Sequence, residues 1–327
     1  MRAAIAEQGA LTWVDRPVPQ PGPGEVRLRI AATAVNRADL VQVAGRYPPP
    51  PGATDVLGLE CAGVVDAVGA GVAPERVGER VAALLSGGGY ADYVCCPADH
   101  LLPVPDDVPL QLAATLPEVW ITAWLNLIHE GGLAAGERVL LHAGASGVGT
   151  AGIQLARFVG AESFVVVGSA DKLTRCQELG ASDGVNRHEE DWTTRTQEWT
   201  GGRGFDLILD PVGADTVANG LLALAPRGRL VLIGLMSGRV AEIDLARVLS
   251  RRLRVQGSVL RGRSQDEKTA LIGPFRETIW PALMRRELAP VVEQFLPLED
   301  AAAAHKKLAS NQTTGKIGLI VASLSSR

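Results

Sequence analysis

The sequence lacks an apolar run long enough to cross a lipid bilayer. Its longest clearly apolar stretch, Leu230 to Met236, is far short of the roughly 20 residues that a membrane-spanning helix needs. The N-terminus also lacks the apolar core of a secretory signal peptide. We therefore expect a cytoplasmic protein that has no membrane partner.

Cysteine pairs and an excess of positive charge are also missing. The cysteines are Cys61, Cys95, Cys96 and Cys176, and they include no CxxC pair, so we expect reduced thiols rather than a disulfide framework or a zinc clip. The 32 basic residues are outnumbered by 36 acidic ones, which gives a net charge of −4. A broad electropositive surface is therefore not expected, and nucleic acid is a poor candidate partner.

What is present is the composition of a folded protein, with 46% hydrophobic residues in a chain of 327. This length favours two domains. Up to about residue 115, the pattern predicts a β-rich lobe of short strands broken by turns. These strands are predicted at Met1 to Ala6, Glu25 to Ala31, Gly63 to Val68, Arg80 to Leu84 and Tyr90 to Val94.

After Pro117 apolar strands alternate with helical segments. The predicted strands are Arg138 to His142, Ser163 to Gly168, Phe205 to Asp210 and Arg229 to Gly234. The predicted helices between them are Gly147 to Val159, Asp171 to Leu179 and Val217 to Leu224. Continuous apolar strands suit a parallel sheet buried on both faces, so this α/β part is predicted to be doubly wound. The tail is mixed, with a helix near Glu299 to Ala309 and a strand at Lys316 to Val321.

A glycine-rich loop joins the first of these strands to its helix. The stretch from Val139 to Gly149 reads VLLHAGASGVG and runs directly into the helix. A helix N-terminus that follows such a loop attracts pyrophosphate through its free N–H groups and its dipole. The predicted dinucleotide-binding residues here are Ser146, Gly147, Val148 and Gly149, although Ser146 takes the middle glycine position of the usual G-x-G-x-x-G pattern.

The second strand favours NADP(H) over NAD(H). An NAD site usually has an acidic residue at the end of this strand, whereas this strand ends in Gly168 and Ser169. Ser169 and Lys172 are predicted to contact a 2′-phosphate, and Arg187 adds charge. Asp171 is the contrary observation, although it lies beyond the strand end and is explained equally well as part of a helix start.

Motifs along nearly the whole chain resemble those of the zeta-crystallin-like quinone oxidoreductases, within the medium-chain dehydrogenase/reductase superfamily. The motifs are Gly136-Glu137, Gln154 with Arg157, Asn36 to Leu40, Gly58 to Glu60, Gly88 to Ala91, Asp210 to Gly213, Gly234 to Met236 and Gly315 to Ile317. The NRADL, PPPG and HAGxSGVGTAxIQL motifs are also similar to those of the stress-inducible NADPH quinone oxidoreductases of animals.

The resemblance implies a GroES-like, β-rich catalytic domain with an inserted Rossmann domain. The catalytic domain would comprise residues 1–118 and 261–327, and the NADP-binding domain residues 119–260, with the active cleft at their junction. It also implies a homodimer that pairs through a Rossmann edge strand near Leu253 to Ser258.

Zinc-dependent members of this superfamily bind a catalytic metal through Cys, His and Cys. At what look like those positions this chain has Asn36, Leu59 and Glu118. Leu59 has no donor atom and Asn36 is a poor zinc ligand, so no metal is expected. Without a Lewis acid, the acceptor should be one that takes hydride unaided, such as a quinone.

The resemblance also assigns residues to the acceptor and the cofactor. Tyr47 is expected to lie over the nicotinamide and stack on the acceptor or donate its hydroxyl, the alternative being a surface aromatic at a loop start. Asn36 is expected to bind a quinone oxygen or the nicotinamide ribose, the alternative being a turn-stabilising residue. The remaining cofactor-binding candidates are Asp210, Val212, Gly234, Leu235, Met236, Leu260, Asn311 and Thr313.

The leading hypothesis is a zinc-independent NADPH:quinone oxidoreductase that passes electrons or a hydride from the nicotinamide to a quinone. A second enzyme hypothesis is NADPH-dependent reduction of the C=C bond of an enone or enoyl thioester, for which Tyr47 is the obvious proton donor. A third is an NADPH-binding accessory protein without catalysis.

Overall fold

The computed structural model describes residues 1–321. The chain divides into two compact units, one formed by Met1–Ile121 with the chain from Leu260 onward, and the other by Thr122–Val259. The sequence places these divisions after residues 118 and 260. An N-terminal and a C-terminal segment thus build one unit, and the segment between them builds the other.

The N-terminal segment is mostly antiparallel β structure. Its strands are β1 (Arg2–Glu7), β2 (Ala10–Asp15), β3 (Glu25–Val35), β4 (Glu60–Val68), β5 (Arg80–Leu84), β6 (Tyr93–Pro97) and β7 (Leu101–Pro103). Its helices are α1 (Arg37–Val43), α2 (Leu110–Ala113) and α3 (Pro117–Trp124), and 3-10 turns lie at Pro74–Arg76 and Ala98–His100. A π-helical turn, Leu125–His129, follows α3.

The middle segment alternates strands and helices. Its strands are β8 (Arg138–His142), β9 (Glu162–Val167), β10 (Asp183–Asn186), β11 (Phe205–Asp210), β12 (Leu224–Leu232) and β13 (Arg254–Gly257). Its helices are α4 (Gly147–Phe158), α5 (Ala170–Glu178), α6 (Trp192–Thr200), α7 (Ala214–Ala223) and α8 (Leu245–Arg251). The strands form a parallel sheet in the order β10-β9-β8-β11-β12-β13, which is the doubly wound arrangement.

The faces of this sheet are both covered by hydrophobic clusters. Val139 and Leu141 belong to one cluster and Leu140 to the other, because alternate residues of a strand point to opposite faces. The strands are apolar throughout for that reason, as the sequence predicts.

The C-terminal segment returns to the first unit. It contains α9 (Gln265–Thr278), α10 (Trp280–Met284), β14 (Val292–Pro297), a 3-10 turn at Leu298–Asp300, α11 (Ala301–Ala309) and β15 (Lys316–Ile320). Within the described residues, the strand order of the main sheet of this unit is β14-β15-β3-β4-β5-β7, and β6 also pairs with β3. The pairing of β15 with β3 carries Lys316 to the end of β3, next to Val35.

Several sequence predictions of element bounds are wrong: the strand predicted at Gly63 to Val68 begins at Glu60, and the strand predicted at Glu25 to Ala31 ends at Val35. The strand predicted at Tyr90 to Val94 is β6, which begins at Tyr93, because the backbone of Tyr90 bonds to Leu57 and Ala4 instead. The strand predicted to end at Gly234 ends at Leu232. The following loop instead bonds to the loop after β11, with Ser237 N donating to Val212 O at 2.8 Å. The helix predicted to begin at Val217 begins at Ala214, directly after the turn at Gly213.

No helix among residues 1–321 is both long enough and apolar enough to span a bilayer.

Candidate functional site

The glycine-rich loop has the form of a phosphate-binding turn. It joins β8 to α4, and Ser146 is the N-cap of that helix, its Oγ accepting from Gly149 N at 3.0 Å. This bond uses a lone pair of the hydroxyl and leaves its hydrogen available to a phosphate oxygen. A Cβ at Gly149 would lie 2.6 Å from Ala143 O, so only glycine allows this close approach of helix and loop. Gly147 and Val148 form the first turn of α4.

A cationic group lies at the end of the second strand of the middle unit. The guanidinium of Arg187 packs over Gly168, where a Cβ would lie 3.2 Å from Arg187 Nη1. Ser169 is the N-cap of α5, and its Oγ accepts from Lys172 N at 3.3 Å. The structure therefore places Ser169, the backbone of Lys172 and the guanidinium of Arg187, the three residues that the sequence selects for a 2′-phosphate, close to Gly168 and the N-terminus of α5.

Asp210, at the end of β11, uses its carboxylate to shape the next turn. Its Oδ1 accepts from Val212 N at 2.7 Å and from Gly213 N at 3.0 Å, and its Oδ2 accepts from Thr216 Oγ1 at 2.7 Å. Asp210 is fully buried. The Asp210 carboxylate thus holds the turn that carries Val212, and the part of Asp210 and Val212 in cofactor binding stays a prediction.

The loop after β12 lies beside the turn after β11. Gly234 leaves no room for a side chain, because a Cβ would lie 2.7 Å from Pro211 O. The next two side chains are exposed, Leu235 by 57% and Met236 by 51%, which leaves two large apolar side chains in the open.

In the other unit, three charged or polar side chains form a buried network. Lys316 Nζ donates to Asn36 Oδ1 at 2.5 Å and lies 2.7 Å from Glu60 Oε1. Asn36 Nδ2 donates to the same Glu60 oxygen at 2.9 Å. Both ends of the Asn36 amide are therefore engaged within the protein, so it connects Glu60 and Lys316, and its binding of a quinone oxygen or the nicotinamide ribose stays a prediction.

The buried carboxylate of Asp39 holds the backbone of Asn36. Asp39 Oδ2 accepts from Asn36 N at 2.8 Å and from the hydroxyl of Tyr90 at 3.2 Å, and that hydroxyl lies 3.1 Å from His305 Nε2. Burial raises the pKa of Asp39 to about 6 and lowers that of His305 to about 4. Asp39, which the sequence analysis leaves out of the site, helps to fix the position of Asn36.

Tyr47 lies against a buried arginine. The guanidinium carbon of Arg261 is 5.2 Å from the centre of the Tyr47 ring, and Arg261 Nη1 donates to Tyr47 O at 3.4 Å. Arg261 Nε donates to Ser86 O at 2.9 Å. Burial, followed by the charge of Glu118, raises the pKa of Tyr47. The ring is partly exposed and supported from one side by a cation, an arrangement that can receive a planar molecule.

Glu118 is a further carboxyl group next to Glu60. Its backbone N donates to Glu60 Oε2 at 2.9 Å, which fixes the first turn of α3. Burial, together with the negative charge of Glu60, raises the pKa of Glu118 to about 8. The group is therefore protonated at neutral pH and can donate a proton.

The other three cofactor-binding candidates in this unit are Leu260, Asn311 and Thr313. Leu260 and Thr313 are buried. Asn311 follows α11 with a positive φ of 57°, and its Oδ1 accepts from Arg37 Nη2 at 2.7 Å. These contacts leave the proposed roles of the three residues in cofactor binding as predictions.

Sequence reasoning missed Glu60, Lys316, Arg261 and Lys268 as site residues. Glu60 and Lys316 lie inside motifs that the resemblance singles out, so a signal existed for them. Arg261 and Lys268 carry no local signal, because only long-range contacts bring them to Ser86 and Tyr47.

The residues at the three metal positions do not fit a zinc ion. Leu59 is buried and has no donor atom, and the Asn36 oxygen is bound to the Lys316 ammonium, whose positive charge opposes a second cation. Within residues 1–321, no group of three or more His, Cys, Asp or Glu side chains is placed to hold a metal ion.

Comparisons with known proteins match both units. Residues 22–106 match the alcohol dehydrogenase GroES-like domain, and residues 147–273 match the family described as zinc-binding dehydrogenase. The chain is 33% identical to the 2-haloacrylate reductase of Burkholderia sp. over 335 residues, covering 98% of both chains. It is 32% identical to a quinone oxidoreductase of Pseudomonas aeruginosa, covering 97% of this chain and 98% of that one.

Among solved structures, the quinone oxidoreductase of Escherichia coli in complex with NADPH superposes with a TM-score of 0.87. It is 29% identical in sequence, and the alignment covers 98% of this chain and 99% of that one. The match therefore extends over both units and over the loops described above.

Proposed function

This chain belongs to the medium-chain dehydrogenase/reductase superfamily, as a zinc-independent member similar to the quinone oxidoreductases, and on that basis we propose that it is an NADPH-dependent reductase of quinones. The observation that carries the proposal is the network of Asn36, Glu60 and Lys316. One member, Asn36, stands where zinc-dependent members have a metal ligand, and its amide is bonded to the Glu60 carboxylate and the Lys316 ammonium, a setting that does not suit zinc. An acceptor that takes hydride without a Lewis acid, such as a quinone, fits this chemistry.

The middle unit supplies the groups that would bind NADPH. The N-terminus of α4 and the Ser146 hydroxyl would bind the pyrophosphate, and Arg187 with Ser169 would bind the 2′-phosphate. When bound, NADPH supplies the hydride. The protein residues orient this reductant and do not themselves change oxidation state.

The other unit supplies groups suited to the acceptor. We infer that Tyr47 stacks on the quinone ring and that Glu118, protonated at neutral pH, donates the proton that completes the hydroquinone. Asn36 acts as a positioning residue, because its amide links Glu60 and Lys316.

We also infer a homodimer that pairs through β13. This strand is the last in the sheet order, so one of its edges has no neighbouring strand within the described residues. Val255 on the strand and Val259 beyond it are 44% and 55% exposed. Light scattering coupled to size exclusion would give the mass of a dimer, and the mass of a monomer would refute the inference.

The second candidate function is reduction of a conjugated C=C bond. It is favoured by the similarity to a 2-haloacrylate reductase and by Glu118, which could protonate the carbon next to the carbonyl. Glu118 is a proton donor for this reaction beside Tyr47, whose pKa is raised further from neutrality.

The test is NADPH oxidation, followed at its nicotinamide absorbance, with a panel of quinones beside enones and enoyl thioesters. Turnover of quinones supports the proposal, and turnover only of C=C acceptors would refute it in favour of the second candidate. If the protein binds NADPH but turns over no acceptor, it is an accessory protein.

A further inference from the structure

Two cations in the unit that contains Tyr47 are buried and form no ion pair with a carboxylate among the described residues. Arg261 is 3% exposed and Lys268 is 5% exposed. Lys268 Nζ donates to Ser86 Oγ at 2.7 Å and to Arg261 O at 2.8 Å, so a single loop and the start of α9 hold both side chains together. Within residues 1–321, neither side chain forms an ion pair.

One donor of this pair has no hydrogen-bond partner at all. Arg261 directs Nε to Ser86 O and Nη1 to Tyr47 O, whereas its buried Nη2 meets no acceptor among the described residues. A buried donor that is left unsatisfied is costly, and native structures rarely keep one without a reason.

Burial of an unpaired charge is also costly, and elsewhere in this unit it is avoided. Lys316 is equally buried but lies against the Glu60 carboxylate. Arg261 and Lys268 have no such partner, and burial lowers the pKa of both. The described residues therefore provide no carboxylate that pairs with either cation.

Glu118 is the carboxyl group whose charge acts on both cations. Its carboxyl group nevertheless forms no hydrogen bond or ion pair with either of them among the described residues. The buried Nη2 of Arg261 is thus left without an acceptor from the described part of the chain.

We propose that Arg261 and Lys268 form a carboxylate-binding subsite, and that the physiological acceptor carries a carboxylate attached to its reducible conjugated system. The inference rests on the proposed function, since it concerns the acceptor of that reaction. A guanidinium donates to a planar carboxylate through well-directed N–H groups. The centre of the Tyr47 ring lies 5.2 Å from the same guanidinium carbon, so this ring would contact the planar system to which the carboxylate is attached.

The first experiment measures binding without turnover. Benzoate, which is planar, anionic and not reducible here, is compared with the neutral benzamide by calorimetric titration of the full chain loaded with NADP⁺. A hydrogen-bonded ion pair in a partly buried site should favour benzoate by about 10- to 100-fold, and Arg261→Gln should abolish this preference. Lys268→Gln should reduce it.

Arg276→Gln is the matched control. Arg276 lies on α9 like Lys268, but its guanidinium donates to the backbone oxygens of Asp99 and Leu101. The control should keep the preference for benzoate. Arg261→Lys should restore part of the preference, which shows that charge and not only packing matters. Circular dichroism and NADPH titration of each variant check that it is folded.

The second experiment measures turnover of a naphthoquinone carboxylate and of its methyl ester. The acid should have the higher kcat/KM in the wild-type protein, mainly through KM, and the difference should disappear in Arg261→Gln. Equal binding of benzoate and benzamide, or a preference that survives in both variants, would overturn the proposal. Inorganic phosphate that displaces benzoate at an equal concentration would show an unspecific anion site and would also overturn it.

The outcomes separate the two levels of inference. If the wild-type protein reduces neutral quinones but does not prefer the carboxylate, the subsite is refuted and the proposed function stands. If benzoate binds selectively but no quinone or enone is reduced, the function is refuted and the subsite stands.

Discussion

The ammonium of Lys316 and the carboxylate of Glu60 form an ion pair of 2.7 Å that is buried almost completely, with side-chain exposures of 5% and 0%. The two residues are brought together by the pairing of β15 with β3 and of β3 with β4. Asn36 bridges them through its amide. The pair therefore connects the C-terminal segment to the β-rich lobe at the centre of the candidate site.

Lys316→Met should destabilise the protein by about 3–5 kcal/mol, because it leaves the Glu60 charge buried without its partner. Urea unfolding, followed by fluorescence, measures the change. Lys307→Met is the control: Lys307 pairs with Glu293 at 3.3 Å on the surface, and its loss should cost less than about 1 kcal/mol. Equal losses in the two variants would contradict the role given to the buried pair.

Arg187→Ala should weaken the binding of NADPH by about 10- to 100-fold and leave NADH unaffected, because a charge-assisted bond to the 2′-phosphate is lost. Titration of the nicotinamide fluorescence measures both affinities. Arg175→Ala, which removes a cation of α5 that pairs with Glu178, is the control and should change neither. A parallel loss of affinity for both nucleotides would show that Arg187 acts through the fold.

Gly149→Ala should lower the free energy of unfolding by about 1–3 kcal/mol, because the new Cβ would crowd the carbonyl oxygens of the preceding loop. It should also weaken NADPH binding, since the loop must shift. Gly273→Ala is the control, because Gly273 lies inside α9 and a Cβ there meets nothing within 4 Å. That variant should leave NADPH binding unchanged, although Pro274, which follows Gly273 in α9, disfavours a Cβ on the residue before it and should cost some stability. Unchanged NADPH affinity in Gly149→Ala would argue against the loop as the phosphate site.

Glu118 should make the stability of the protein depend on pH between about 4.5 and 8. Its folded pKa of about 8 exceeds its ordinary value of 4.5, so the folded state binds the proton more tightly than the unfolded state does. Its contribution is fully present below pH 4.5 and is lost as the pH rises through 8.

Glu118→Gln tests this prediction, since the carboxamide stays neutral at every pH. The free energy of unfolding of the wild-type protein should fall relative to that of the variant as the pH rises from 5 to 8. Asp39, with a pKa of about 6, titrates in both proteins, so most of its contribution is removed from the difference, apart from its own electrostatic interaction with Glu118. A difference that does not change with pH would refute the raised pKa.

The acceptor site could be predicted only in part. The sequence analysis selects Tyr47, which the structure places against Arg261. It expects Asn36 to bind a quinone oxygen or the nicotinamide ribose, and it does not predict the bonds of the Asn36 amide to Glu60 and Lys316 that the structure shows. The difference arises because a buried amide takes whatever donors and acceptors surround it, and those come from distant segments.

The sequence by itself determined the dinucleotide-binding half of the protein. The strands Arg138–His142 and Phe205–Asp210 have the predicted bounds, and the helix that follows the glycine-rich loop begins at Gly147 as predicted. These features depend on local patterns: continuous apolar runs, a cap and glycines in one short stretch.

The tertiary structure alone decided which charges meet in the other half. Arg261 and Ser86 are 175 positions apart, and Lys316 and Asn36 are 280 positions apart. No local pattern encodes such pairs, because they form only when antiparallel strands and a returning C-terminal segment pack together. The burial of Arg261 and Lys268 without a paired carboxylate is a property of that packing.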